Sequence, residues 1–257
     1  MLNPRATRPA HRNDPRFLSS VARGMSMIEC LADAVGPRSL TELAQDTGLP
    51  IPTLQRLTTT LVDAGYVEKS PKSKRYRLTV QTLDLLYYFL SRDAFAKSAW
   101  PYMVRLRESV QHNVSLSLPL DQTMIFLHRL PGHRGSYEST LPGRRSPMHT
   151  VASGHCALAA KTNRQIEAYL DETRKTSEPS LDTEALYALV QTCRGRGYGL
   201  VAESAPLGFI SLACPVLHDG RFVAGVSVHA PRTVTTPESL VKTALPAVSI
   251  AATSLSS

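Results

Sequence analysis

A serine, a histidine and a cysteine lie close together in the segment Ser153-Gly154-His155-Cys156. These residue types could support nucleophilic catalysis, in which a base activates a hydroxyl or a thiol. Adjacent residues of a helix point in different directions, however, so these side chains cannot form a relay. The sequence also lacks Gly-x-Ser-x-Gly, Walker and His-Glu-x-x-His motifs, and its His and Cys residues lack metal-ligand spacing. It therefore predicts no catalytic residue, no metal site and no cofactor.

A second group of chemically useful side chains lies in the stretch GLPIPTLQRLTTTLVDAGY, residues 48–66. On a helical wheel of residues 51–65, one arc is mainly apolar and carries Ile51, Leu54, Leu57, Thr58, Leu61 and Val62. The outward arc carries Thr53, Gln55, Arg56, Thr59 and Thr60. Glutamine can pair with adenine, arginine with guanine, and threonine with a phosphate or a thymine methyl group. This arc is typical of a helix that reads the major groove of DNA.

The surrounding pattern predicts a winged helix-turn-helix over residues 21–79. A first helix follows Val21, a capping box at Ser39 and Glu42 opens a second, and Pro52 opens the third. Two short strands then enclose a basic wing, which contains Lys69, Lys72, Lys74, Arg75 and Arg77. The wing could follow a phosphate backbone. A solvated amphipathic helix beside a hairpin that aids solubility is the alternative, but it explains neither the spacing nor the charge.

These stretches resemble the DNA-binding domain of the IclR (isocitrate lyase regulator) family of transcriptional regulators. The resemblance rests on SVARGMSMIECLAD, SLTELAQDTGLP and GLPIPTLQRLTTTLVDAGYVEKSPKSKRYRL. The family usually has Ser-Thr just inside the third helix, where this chain has Pro52-Thr53. Together, the helical wheel, the wing and the resemblance give the predicted DNA-binding set: Ser39, Thr53, Gln55, Arg56, Thr59, Thr60, Lys72, Lys74 and Arg75.

A linker helix is predicted next, within residues 80–95, because Val80–Leu90 is apolar on more than one face. Such a helix should be buried on several sides, and we expect it to serve a subunit interface. A palindromic operator requires a two-fold symmetric protein, and the resemblance implies a homodimer or a dimer of dimers.

Residues 96–257 alternate helices with strands, which predicts an α+β sandwich. Strands are expected around Leu120-Asp121 and around His218-Asp219-Gly220, and Pro131–Arg145 is expected to be a loop region with a short strand. The resemblance to the IclR family continues here, through GRRSPMHTVASGHCALAA, GYGLVAESAPLGFISLACPV and FVAGVSVHAP. It implies a GAF-like effector-binding domain that senses small organic acids.

The residues themselves suggest where an acid could bind. A helix that begins at Val151–Gly154 with small residues leaves backbone N–H groups accessible to an anion. A three-residue loop ending in left-handed Gly220 would set Ser211 opposite Ser227, with His229 on the same face, whereas a two-residue turn would separate them. The effector contacts that the family implies fall at Ala152, Ser153, Ser211, Ser227 and His229.

His229 could add a positive charge, which favours a small carboxylic acid, aromatic or otherwise. Ser227 and His229 could equally be ordinary polar positions on a half-exposed strand. Arg144 and Arg145 could steer an anion, although an exposed loop pair is more often merely solvated.

Composition sets the remaining expectations. The net charge is +8, of which +5 falls in residues 1–92, and such a surplus suits a polyanion. Four cysteines without a CxxC pair are expected to be buried free thiols. Residues 1–20 read as a disordered basic arm without a secretory h-region, and no run is long enough to span a membrane. We therefore expect no membrane association and a cytoplasmic location.

The sequence thus predicts a ligand-responsive regulator of a catabolic operon, not an enzyme. Its expected partners are a double-stranded DNA operator, a small carboxylic acid and further copies of itself. An enzyme, or a scaffold whose winged helix binds protein, is the alternative.

Overall fold

The computed structural model describes residues 16–132, 141–176, 181–204 and 208–256. The chain divides after Arg92 into two compact units. Most of the predicted N-terminal arm, residues 1–15, lies outside the described part, and so does most of the loop predicted before Arg145. Within the described ranges, no helix is both long and apolar enough to cross a membrane.

The N-terminal unit is a winged helix-turn-helix, which confirms the predicted fold. Its elements are α1 (Ser19–Asp33), α2 (Leu40–Thr47), α3 (Ile51–Asp63), β1 (Val67–Lys69), β2 (Tyr76–Leu78) and α4 (Thr82–Arg92). Strands β1 and β2 are antiparallel, with Glu68 opposite Arg77. Met27 of α1, Leu43 of α2 and Leu54 of α3 are fully buried against one another, so the three helices share a small apolar core.

Local sequence signals set the angle of the helix-turn-helix. Ser39 and Glu42 form a complete capping box, which fixes the start of α2. Gly48 ends α2 in the left-handed conformation, with φ of 68°, where other residues would be strained. Pro52 lies in the first turn of α3, where its missing N–H costs no helical hydrogen bond.

Helix α4 differs from its prediction at both its start and its packing. It begins at Thr82, and none of its residues is buried within the chain. Its exposed apolar side chains are Leu83, Leu85, Tyr87, Tyr88 and Phe89. The burial expected on several sides is therefore absent from the described part of a single chain.

The C-terminal unit is an α+β domain, as predicted. Its elements are α5 (Ala94–Val110), β3 (Asn113–Leu120), β4 (Thr123–Leu130), β5 (Arg145–Pro147), α6 (Ala152–Ala159), α7 (Asn163–Thr176), α8 (Thr183–Arg196), β6 (Gly199–Ser204), β7 (Phe209–His218), β8 (Arg221–Pro231) and α9 (Pro237–Ser254). The strands form one sheet in the order β5-β4-β3-β8-β7-β6, with antiparallel neighbours. The sequence pattern did not predict β6.

The two faces of this sheet have different coverings. Helices α5 and α9 contact one face, where the His128 imidazole bonds to the Ala96 carbonyl of α5. Helix α6 packs on the other face, which we call the polar face because it carries Ser115, Ser117, Ser211, Ser227 and His229. Gly225 permits this packing, since a Cβ there would lie 2.5 Å from the Ser153 Cβ.

The hairpin of β7 and β8 has a different register from the one predicted. Asp219 and Gly220 form a two-residue turn with positive φ, so that His218 pairs with Arg221. A two-residue turn alone would put Ser211 and His229 on opposite faces. A bulge after Phe222 adds one residue to β8 and restores the shared face. Ser211 therefore lies opposite His229, and the predicted pairing of Ser211 with Ser227 is wrong.

All four cysteines are free thiols. Cys156, Cys193 and Cys214 are buried as expected, whereas Cys30 is half-buried. The sulfur atoms of Cys156 and Cys193 are 3.9 Å apart, so these two residues pack α6 against α8.

Candidate nucleic-acid interface and ligand site

The outward face of α3 carries the side chains that the helical wheel assigned to it. Gln55, Arg56, Thr59 and Thr60 are exposed, whereas Thr58 has only 1% of its surface exposed. Thr53 is half-buried at the start of the helix, beside exposed Pro52. The three consecutive threonines thus divide between the core and the surface.

The threonine hydroxyls of α3 are engaged by the helix itself. The Thr58 and Thr59 hydroxyls donate to the Gln55 carbonyl, at 3.0 and 2.9 Å, and the Thr60 hydroxyl donates to the Arg56 carbonyl at 3.0 Å. Their methyl groups and remaining oxygen lone pairs stay available. Within the described chain, the side chains of Gln55 and Arg56 make no hydrogen bond or ion pair, so their donors are free for another molecule.

The cations of the wing differ in whether the protein already uses them. Arg75 donates to the Pro37 carbonyl at 2.8 Å and pairs with Glu42 at 2.9 Å. Arg77 pairs with Glu68 across the hairpin, and the Lys69 ammonium lies over the Tyr76 ring.

Two cations of the wing tip have no such partner. Lys72 and Lys74 are exposed and have no ion pair with the described residues. Lys74 adopts a left-handed φ of 56° in the turn that bends the wing. These two lysines are therefore the free charges of the wing.

Ser39 and Glu42 explain why Arg75 is fixed. The Ser39 hydroxyl and backbone N–H each donate to the Glu42 carboxylate at 2.7 Å, and Glu42 N–H donates back to Ser39 Oγ at 3.3 Å. These bonds, with a smaller contribution from Arg75, lower the pKa of Glu42 to about 2. The capping box thus also holds the wing against the start of α2.

In the C-terminal unit, His229 lies between two serines on the polar face. Its Nε2 is 2.7 Å from Ser115 Oγ and its Nδ1 is 2.8 Å from Ser211 Oγ. Burial, and secondarily the charge of Arg129, lowers the pKa of His229 to about 3. The imidazole is therefore neutral, with one nitrogen donating and the other accepting, and the expectation that it supplies a positive charge is wrong.

The start of α6 is closely packed. The Ser117 hydroxyl donates to Ser153 Oγ at 2.8 Å, and Ala152 is buried against Cys193 and Ala213. His155 is bound to the His149 carbonyl at 2.9 Å, so it does not serve Ser153. No relay connects the segment that first suggested catalysis.

Ser227 is the exception among the hydroxyls of the polar face. It has 1% of its surface exposed, and its oxygen has no hydrogen-bond partner in the described part of the chain. It lies between Ser115 of β3 and Ala213 of β7. A buried hydroxyl without a partner costs free energy, and a ligand could remove that cost.

A cavity of about 260 Å³ lies at the end of the strands, beside His229. It is lined by Gln111, His112, Asn113, Gly132, Phe209, His229, Pro231 and Val234. Of the five predicted effector contacts, His229 alone lines it. The volume is sufficient for a small organic acid, and the lining combines apolar walls with a few polar groups.

Sequence reasoning missed Arg129 and Phe126, which lie on the polar face beside Ser115 and Ser117. Residues three apart in a regular strand point to opposite faces. A bulge at Leu127 brings both onto one face, where the Arg129 guanidinium lies 4.3 Å from the centre of the Phe126 ring. Alternation had indicated the strand, but nothing in the sequence indicated the bulge.

Among residues 16–132, 141–176, 181–204 and 208–256, no three His, Cys, Asp or Glu side chains are grouped to hold a metal ion. A winged helix-turn-helix whose third helix has an exposed polar face, followed by an α+β domain with a small cavity, is the organisation of a DNA-binding transcriptional regulator with an effector-binding domain.

Two family profiles match this organisation. The one described as IclR helix-turn-helix domain matches residues 20–71, and the one described as bacterial transcriptional regulator IclR C-terminal matches residues 88–257. The chain belongs to the IclR family of bacterial transcriptional regulators.

Individual proteins are also similar to this chain, in sequence or in fold. The chain is 26% identical over 238 residues to the Pca regulon regulatory protein of Pseudomonas putida, covering 89% of this chain and 81% of that protein. It superposes on an IclR family transcriptional regulator from Brucella abortus with a TM-score of 0.85 and 25% identity, covering 100% and 98% of the two chains. An IclR homolog from Microbacterium hydrocarbonoxydans, complexed with 4-hydroxybenzoate, shares the fold, with a TM-score of 0.73, 21% identity and coverage of 92% and 97%.

Proposed function

We propose that this regulator binds an operator through the exposed face of α3 and responds to a small carboxylic acid bound in its C-terminal unit. The observation that carries the first part is the free pair Gln55 and Arg56, on a helix whose opposite face is buried. Arginine donates two hydrogen bonds to guanine and glutamine forms a pair with adenine, so both can read base edges.

The remaining predicted contacts take different roles. Thr53, Thr59 and Thr60 have short side chains that let the helix approach the groove. Lys72 and Lys74 contact phosphates from the wing, because they have no other partner in the described chain. Ser39 and Arg75 act indirectly, by fixing α2 and the wing through Glu42.

The acid is proposed to bind at the polar face, at or next to Ser227 and His229. Ser227 offers an unused buried hydroxyl, and the adjoining cavity of about 260 Å³ has room for an aromatic ring. The neighbour from Microbacterium holds 4-hydroxybenzoate, a small aromatic carboxylate, which supports this class of ligand. Ala152 and Ser153 then shape the buried end of the site.

We further propose that the protein acts as a homodimer or a dimer of dimers, in the cytoplasm, on an operon for the catabolism of such an acid. The apolar side chains exposed on α4 support this assembly, because the described part of one chain leaves them uncovered. Two-fold symmetry would also match a palindromic operator.

The test begins with selection of bound duplexes from a random pool by the full-length wild-type chain. The selected duplex is then used in gel shifts with Arg56→Ala, and with Arg164→Ala as a control that removes an exposed charge from α7. We expect Arg56→Ala to lose specific binding, while Arg164→Ala retains it. Equal affinity of all three proteins, or failure of the pool to yield any enriched sequence, would refute the proposal.

A further inference from the structure

Arg129 on β4 is a half-buried cation that has no counterion among the residues that the structure describes. Within the described residues it makes no ion pair and no hydrogen bond, and its Nε is fully buried. Its guanidinium instead stacks on Phe126, with 4.3 Å between Cζ and the ring centre. Stacking holds the guanidinium plane and leaves its N–H edge available, which is the geometry that a carboxylate accepts as a two-pronged pair.

The electrostatic surroundings make this cation costly. Burial lowers the pKa of Arg129 to about 10, and the charge of Arg144 lowers it in the same direction. Arg129 nevertheless stays protonated at neutral pH. A charge held partly out of water, beside a second arginine, is compensated only when an anion joins it.

The strand register places Ser227, whose hydroxyl has no partner among the described residues, in the same row across the sheet as Arg129. Arg129 lies opposite Ser115 on β3, and Ser115 lies opposite Ser227 on β8. Ser115 is already bonded to His229, whereas Ser227 has no partner among the described residues. The cavity begins two residues further along β8, at His229. Among the described residues, this row therefore holds a cation and a hydroxyl without hydrogen-bond partners, close to the cavity that His229 lines.

We infer that Arg129 is the ionic anchor of the effector site and pairs with the acid group of a small monocarboxylate, with Ser227 as a second donor. This inference rests on the proposed ligand role of the polar face. It adds that the ligand must be an anion, so that the corresponding amide or alcohol is rejected. Because the imidazole of His229 is neutral, Arg129 is the charged side chain that distinguishes the acid from its amide or alcohol.

The first test needs no ligand. Arg129→Met in the full-length protein keeps the length of the side chain and removes the uncompensated charge. The inference predicts a melting temperature equal to or above that of the wild type, since the charge is held for binding and not for folding. A lower melting temperature would show that Arg129 stabilises the fold and would overturn the inference.

The second test measures binding of benzoate, 4-hydroxybenzoate and pyruvate by calorimetry, with benzamide as the neutral probe. We expect at least one of the acids to bind wild type, and benzamide not to bind. Arg129→Met should weaken acid binding by about 10- to 100-fold, the cost of a lost charged hydrogen bond. Arg129→Lys should recover part of the affinity, and Arg164→Met, a control that removes an exposed arginine from α7, should change it little.

The outcomes separate this inference from the proposed function. If Ser227→Ala loses binding while Arg129→Met retains it, or if benzamide binds as well as benzoate, the polar face remains the site but Arg129 is not its anchor. If binding survives both substitutions, the site itself is misplaced. If none of the three acids binds at millimolar concentration, the assignment of an anionic ligand is contradicted.

Discussion

The polar face shows at the scale of single residues how much a hydrogen-bond partner matters. Ser115 and Ser211 each bond to the ring of His229, whereas Ser227, between the same strands, has no partner within the described ranges. All three serines are buried. Residue type therefore does not indicate which hydroxyl is available to a ligand; only the arrangement of neighbours does.

The two classes of serine should respond in opposite ways to removal of the hydroxyl. Ser227→Ala removes an unpaired buried group, so the free energy of unfolding of the ligand-free protein should stay the same or rise by up to about 1 kcal/mol. Ser115→Ala leaves a ring nitrogen of His229 without a partner and should cost about 1–3 kcal/mol. Urea denaturation of the two variants measures the difference. Equal destabilisation would show that Ser227 is already satisfied.

His229 gives a second prediction at this scale, in the pH dependence of stability. The folded-state pKa of about 3 lies below the ordinary value of 6.5, so the unfolded chain takes up a proton first as the pH falls. The neutral ring of His229 therefore makes its full contribution to the free energy of unfolding above pH 6.5. This contribution decreases between pH 6.5 and 3, by at most about 1.4 kcal/mol per pH unit.

The corresponding measurement is the melting temperature of wild type, His229→Gln and His218→Gln across this range. His218 is an exposed histidine of the hairpin and serves as the control. His229→Gln should flatten the profile, whereas His218→Gln should follow wild type. A wild-type slope that persists in His229→Gln would assign the effect to other groups.

At the scale of elements, the sequence predicted helices better than strand register. The capping box at Ser39, the proline in the first turn of α3 and the apolar arc around Leu54 are local signals, and each gave the right element. The arrangement of the polar face instead depends on two bulges, at Leu127 and after Phe222. A bulge shifts every later side chain by one face without changing the alternation of residue types, so the sequence could not indicate it.

The hairpin illustrates this limit. The prediction placed Ser211, Ser227 and His229 on one face by assuming a three-residue loop. The protein places them there through a shorter turn and a bulge, with Ser211 opposite His229 instead. The effector contacts themselves remain predictions. Arg129 was missed for the same reason, because its position beside Phe126 depends on the other bulge.

The wing gives a prediction that separates contact from positioning. Lys72→Gln and Lys74→Gln should each remove one phosphate contact per subunit and reduce the salt slope of DNA binding by about 0.9 for each subunit bound. Arg75→Ala should weaken binding through loss of its bonds to Glu42 and Pro37, with a smaller change in slope. Affinity for the selected duplex, measured against salt concentration, distinguishes the two. An unchanged slope in both lysine variants would exclude the wing tip from the DNA contact.

At the scale of the whole molecule, the apolar surface of α4 is the feature that one chain leaves unexplained. Leu83, Leu85 and Tyr87 point away from the core of the N-terminal unit, together with Tyr88 and Phe89. Several large apolar side chains exposed on one short helix are typical of a subunit interface. The sequence predicted that this helix is apolar on more than one face. Which surface covers it in the proposed assembly cannot be read from one chain.

Charge on this surface should therefore prevent assembly. Leu85→Arg, with Leu189→Arg on α8 as the control at another exposed leucine, should convert the oligomer into monomers. Sedimentation at micromolar concentration gives the mass directly. A wild-type chain that is already monomeric, or an oligomer that persists in Leu85→Arg, would rule out α4 as the interface.

The basic surplus of the N-terminal third and the two free charges of its wing are consistent with sequence-independent attraction to DNA. Under the proposed function, specific recognition depends on α3, and Arg56 is the one exposed arginine of that helix. Reading of a guanine by a single arginine should affect one base-pair position, and its symmetry mate, without altering the others.

The most direct measurement is the affinity of wild type and Arg56→Ala for every single-base variant of the selected duplex. We predict that wild type prefers guanine by about 1–3 kcal/mol at one position of each half-site, and that Arg56→Ala loses the preference at that position and its symmetry mate alone. If Arg56→Ala keeps the wild-type preference at every position, α3 does not read the operator through Arg56, and the central claim is wrong.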